Sequence, residues 1–110
     1  MKLLTKAIRN SIPKLGEQDH LGEEAIIHVK FFDPCGSWTW YATEFDGEDT
    51  FFGLVEGFEK ELGYFSLKEL ESVRGPLGLP IERDLYFKPK PLDEIAPEMF
   101  SDSQEEKGSD

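Results

Sequence analysis

Between Ala25 and Glu56, three β-rich runs alternate with two turn signals, and that succession leaves few folds open. In Ala25 to Phe32, Ile27, Val29 and Phe31 fall on one side, and Ile26, His28, Lys30 and Phe32 on the other. A period of two with one apolar side predicts a strand with one buried and one partly wet face. Asp33-Pro34-Cys35-Gly36-Ser37 supplies the proline and glycine dihedrals of a turn. Trp38 to Phe45 is the second strand, Asp46-Gly47-Glu48-Asp49 carries a hairpin signal, and Thr50 to Glu56 is the third strand. Consecutive runs joined by short turns pair antiparallel, so a three-stranded meander is expected.

The flanking segments fill out an α+β fold. Leu3, Leu4, Ala7, Ile8 and Ile12 have helical spacing, and Pro13 stops that helix. Residues 15–24 form a polar loop. Gly57 to Leu62 breaks the strand pattern, and Gly63-Tyr64-Phe65 is a short fourth strand. Ser66-Leu67-Lys68-Glu69 is a capping box, in which the serine hydroxyl accepts from the Glu69 amide and the Glu69 carboxylate reaches back. The helix behind it, with Leu67, Leu70 and Val73 on one stripe, ends before Gly75-Pro76. Ile81 to Phe87 alternates again and reads as an edge strand. The expectation is one antiparallel sheet packed with an N-terminal helix and a second, capped helix. Residues 1–88 form the domain and 89–110 an acidic, mostly disordered tail. Within that tail, Leu92, Ile95, Met99 and Phe100 share one side of a potential short helix, which either packs back on its own sheet or folds onto a partner.

Composition narrows the class. A chain of 110 residues holds one compact domain, and nine Phe, three Tyr and two Trp can fill its core. No apolar run is long enough to span a bilayer, and the N-terminus meets Arg9 before a signal-peptide stretch forms. Cys35 is the only cysteine, so neither an internal disulfide nor a cysteine zinc site is available, and a reducing cytoplasm is the simplest compartment. The net charge of −11 concentrates between Glu44 and Glu71, a field that repels phosphates and suits a basic protein surface. The plainer role of such charge is solubility.

Four stretches together, Trp38 to Glu44, Phe52 to Val55, Glu61 to Leu70 and Gly75 to Phe87, resemble a bacterial family known as domain of unknown function 2958. The resemblance spans roughly residues 3–88. It implies a small accessory protein of plasmids and other mobile elements, and brings no activity, cofactor or catalytic residue with it.

The candidate site residues follow from these patterns. Trp38 and Trp40 form the densest aromatic stretch; core packing is the ordinary use of such rings, and an exposed indole would mark an interface. Glu44, Asp46, Glu48, Asp49, Glu56 and Glu59 belong to the acidic stretch expected to meet a basic partner, such as a DNA-processing or defence enzyme. Arg83 shares a side with Ile81, Leu85 and Phe87, so it should pair with a carboxylate, cap a carbonyl or hold a ligand. No cofactor or metal is called for: Asp46 to Asp49 is too short for a calcium loop, and Gly75-Pro76-Leu77-Gly78 lacks the residues of a phosphate loop. Two enzymatic alternatives remain, a Cys35–His28 dyad and a small-ligand or metal-dependent hydrolase built from Glu44, Asp46, His28 and Arg83. A purely structural subunit, buried through the Trp38–Trp40 face, is the third class.

Overall fold

The computed structural model describes residues 2–75 and 77–100. Its centre is an antiparallel sheet of five strands. Four of them, β2 (Val29–Phe32), β3 (Thr39–Phe45), β4 (Thr50–Glu56) and β5 (Lys60–Ser66), follow one another as a meander. The predicted three-stranded meander is therefore one strand too short. Gly57 to Glu59 is a tight turn, closed by the Gly57 amide donating to the Glu59 carbonyl, and the chain re-enters the sheet at Lys60. The short fourth strand expected over Gly63 to Phe65 is the end of this β5; glycine at the turn and charged residues on an exposed edge hid its first half from the hydrophobic pattern.

The sheet's other edge is β6, only Glu82–Arg83, paired with Phe32 and Phe31. The alternation from Ile81 to Phe87 suggested a longer strand, but Asp84 turns the chain by accepting from the Tyr86 amide. A separate two-stranded ribbon pairs β1 (Ile26–Ile27) with β7 (Lys90–Pro91). Ala25 to Phe32 is thus two strands rather than one. The break at His28 sends Ile27 to one core and Val29 and Phe31 to the other.

Both faces of the sheet are covered. On the first, Val29, Phe31, Phe45 and Phe51 pack with Leu3, Leu4, Leu67 and Leu70. On the second, Tyr41 and Leu54 pack with Ile27, Leu92 and Ala96. That second cover comes from α3 (Leu92–Ile95) and the 3-10 turn Pro97–Met99, in the segment expected to be a disordered tail. Residues 91–100 pack back on their own sheet, with Leu92 3% and Ala96 0% exposed. The expectation of disorder for 101–110 lies outside the described residues. Burying a leucine to this degree contributes about 1.5–3 kcal/mol toward the cost of ordering the segment.

The helices are shorter than the apolar spacing implied. In α1 (Lys6–Ser11) the Thr5 hydroxyl accepts from the Ile8 amide and fixes the start, so Leu3 and Leu4 reach the core from the bend that precedes the helix. For α2 (Leu67–Ser72), Ser66 accepts from the Glu69 amide as predicted. A second carboxylate, not expected from the sequence, supports this start: Asp49 accepts from the Lys68 amide at 2.7 Å and from the Ser66 hydroxyl at 2.7 Å. One carboxylate thereby joins the β3–β4 turn to the helix start. No helix among the described residues is long and apolar enough to cross a membrane.

Candidate functional site

The meander sets which acids can act together. The β3–β4 turn, with Asp46, Glu48 and Asp49, lies at one end of β4, and Glu56 and Glu59 lie at the other, roughly 20 Å away by strand rise. The acidic stretch is therefore divided between two ends of the sheet rather than spread over one face.

Most acids at the first end hold local structure. Asp46 Oδ1 accepts from the amides of Glu48, Asp49 and Thr50, and these bonds lower the Asp46 pKa. The Ser66 hydroxyl and the Lys68 amide lower that of Asp49 in the same way. Glu48 is exposed. Glu44 belongs to neither end. It is 3% exposed, and its two carboxylate oxygens accept from the Gly16 amide at 2.9 Å and the Gln18 amide at 2.7 Å. This buried carboxylate clamps the loop after α1 to β3, so it is unavailable to a partner's surface.

The second end is different. The indole of Trp38 lies 6.0 Å from that of Trp40 and meets the Phe58 ring edge-on at 5.5 Å. Trp40 is half-buried against the first core, while Phe58 is 96% exposed. Gly57 makes this stacking possible: a β-carbon there would stand 2.4 Å from the Trp38 ring. Trp38, Val55, Phe58, Glu59 and Glu61 border an open cleft of about 410 Å³. Glu61 is in register with Val55 and Trp40, and so lies on the face that carries them.

The nearby lysine leaves these two acids alone. Lys60 bonds to Glu56 at 3.5 Å and to Glu98 of the C-terminal segment, on the opposite face. Among the described residues, Glu59 and Glu61 have no ion-pair partner. Carboxylates and aromatic ring faces both attract cations, so the charge and the rings at this end favour the same kind of group. Phe58 and Glu61 were missed as site residues in the sequence. An aromatic ring placed directly after a turn glycine was the available signal.

Arg83 resolves toward structure. Its Nη1 donates to the carbonyls of Lys2 at 2.9 Å and Leu3 at 2.8 Å, pinning the N-terminal segment to β6. The proposed hydrolase set is not gathered in one place. His28 and Arg83 border a cleft of about 310 Å³, Glu44 is bound to backbone amides at another, and Asp46 sits in its turn. Burial lowers the His28 pKa below its ordinary value. The Cys35–His28 dyad does not form, because β2 separates the two residues by roughly 13 Å of extended chain. Among the described residues, no group of three or more His, Cys, Asp and Glu side chains is placed to hold a metal.

Comparison with known proteins finds a family match. The model of the family described as "Protein of unknown function (DUF2958)" covers residues 3–97, reaching past residue 88 into the segment that covers the second sheet face. No curated protein and no solved structure matches the chain.

Proposed function

Since the chain belongs to the DUF2958 family, whose description assigns no activity, we propose its role from the site: a non-catalytic accessory protein that contacts a basic protein surface. The contact is the end of the sheet bearing Trp38, Phe58, Glu59 and Glu61. The setting implied by the family resemblance, a mobile element whose accessory protein meets a DNA-processing or defence enzyme, is part of the same proposal.

One observation carries the reading: a phenylalanine 96% exposed, held against a tryptophan beside two carboxylates that have no ion-pair partner among the described residues. Leaving a phenylalanine in water forgoes about 1.5–3 kcal/mol of burial. A hairpin turn is served as well by a polar side chain. Aromatic side chains are enriched in protein interfaces, and tryptophan is prominent among the residues that carry their binding energy.

The test is a tryptophan-fluorescence titration with an unstructured lysine- and arginine-rich peptide, against a control in which glutamine replaces every basic residue. The basic peptide binds and the control does not. Phe58→Ser and the double variant Glu59→Gln/Glu61→Gln each weaken binding, and added salt weakens it further by screening. Binding unchanged at 1 M salt, or equal binding of the control, contradicts the proposal.

A further inference from the structure

We infer that the outer edge of β5 receives an extended strand from the basic partner, one in which basic and apolar residues alternate. This rests on the proposed contact at the Trp38–Phe58 end and specifies how the partner lies there.

Among the described residues the sheet order ends at β5, whose seven residues pair with β4 on one side alone. Such an edge leaves a row of backbone N–H and C=O groups ready for another strand. The opposite edge offers little, because β6 is two residues long and its arginine is committed to the N-terminal segment. Native sheets protect long edges with inward charges, bulges or covering segments. In β5 the regular register with β4 runs without a shift from Lys60 to Ser66, and Glu61, Leu62 and Tyr64 are all exposed.

The side chains along this edge specify the occupant. Leu62 and Tyr64 are 42% and 70% exposed and share one face, where Tyr64 meets Phe52 at 5.0 Å. Glu61 points to the other face, toward the cleft bounded by Trp38 and Phe58. Cross-strand neighbours lie on the same face of a sheet. A strand added to β5 therefore sets every second residue on the face of Leu62 and Tyr64, and the residues between them on the face of Glu61, Gly63 and Phe65. Apolar side chains suit the first set; in the second, lysine or arginine suits the positions beside Glu61 and Gly63, while Phe65 already packs on the first core. At Gly63, nothing stands within 4 Å of where a β-carbon would be, so a long basic side chain has room to reach the cleft. A second copy of this chain is the poorer occupant, because two molecules of charge −11 repel.

The probe is a seven-residue peptide alternating valine and lysine, used with the full chain in three forms: unmodified, N-methylated at every valine, and N-methylated at every lysine. In a strand, alternate N–H groups point to opposite edges. One methylated form therefore keeps the affinity of the unmodified peptide, and the other binds at least about tenfold more weakly because its ladder bonds are blocked. The unmodified peptide also slows hydrogen exchange at alternate amides of Lys60–Ser66. If both methylated forms bind like the parent, strand addition is overturned while the basic contact stands. If no form binds, both readings fall. If the chain alone shows concentration-dependent protection of the same amides, the edge belongs to a second copy and the assigned occupant is wrong.

Discussion

The Trp38 indole lies over Gly57 and meets the Phe58 ring at 5.5 Å, so a glycine, an indole and an exposed phenyl ring form one unit at the β4–β5 turn. Gly57→Ala tests that unit without removing an aromatic ring. Its β-carbon would come within 2.4 Å of the indole, which must swing away because the clash is with a side chain rather than backbone. The expected result is a several-fold loss of basic-peptide affinity and a changed near-ultraviolet dichroism, with stability altered by less than about 1 kcal/mol. Unchanged affinity would show that the indole's position is immaterial to binding.

Glu44 should behave as a stability residue. The amides of Gly16 and Gln18 each need an acceptor, and glutamine offers one oxygen where glutamate offers two. Glu44→Gln is expected to destabilise the fold by about 1–3 kcal/mol in urea unfolding, the cost of one poorly satisfied buried donor. Peptide affinity should be unaffected. Wild-type stability in this variant would remove the clamp from the picture.

The segment after residue 88 is predicted to be part of the folded unit. Leu92 is 3% exposed and its amide donates to the Ala25 carbonyl at 2.9 Å. Leu92→Ala should cost about 2–5 kcal/mol, the range for a buried leucine truncated in a core. A chain ending at residue 88 should unfold at distinctly lower temperature than one ending at residue 100. Equal melting of the two would mean that the second face needs no cover.

His28 gives a pH signature. Burial lowers its pKa from the ordinary 6.5, so the folded state binds its proton less readily than the unfolded chain does. Its contribution to stability is present above pH 6.5 and is lost as pH falls below that value. The lowered carboxylates Asp46, Asp49 and Glu98 contribute in the same direction, but only in the more acid range below their ordinary 3.8 and 4.5. His28→Gln should flatten the decline that begins near pH 6.5 and leave the acid limb in place. A variant whose stability curve matches wild type between pH 7 and 5 would contradict this assignment.

Alternation and turn chemistry made the central hairpins readable: Trp38 to Phe45 and Thr50 to Glu56 match β3 and β4 to within one residue. The Ser66 cap was equally local and equally legible. What stayed hidden depends on contacts distant in sequence. Nothing near Glu44 in the chain shows that its carboxylate binds amides 26 and 28 residues earlier, and so it read as surface charge. The bulge between Ala42 and Glu44 hides further constraint: a β-carbon at Gly53 would lie 1.8 Å from the Tyr41 carbonyl oxygen, a demand no periodicity reveals. Polar residues between the apolar positions of 91–100 made that segment look disordered, although Leu92 and Ala96, with Ile95, Met99 and Phe100 packed beside them, seat it on the sheet. Of the candidate site, Trp38 and Glu59 were visible in the sequence. Phe58 and Glu61 joined them only once the β4–β5 turn had brought both beside the indole.

The most direct measurement is amide and indole chemical-shift mapping of the full chain during titration with a lysine- and arginine-rich peptide. The divided distribution of acids predicts shifts at the Trp38 indole and at Phe58, Glu59 and Glu61, with Asp46 to Asp49 left still. Shifts centred on Asp46 to Asp49, or none at any peptide concentration, would contradict the claim that the aromatic end of the sheet is where this protein meets a basic partner.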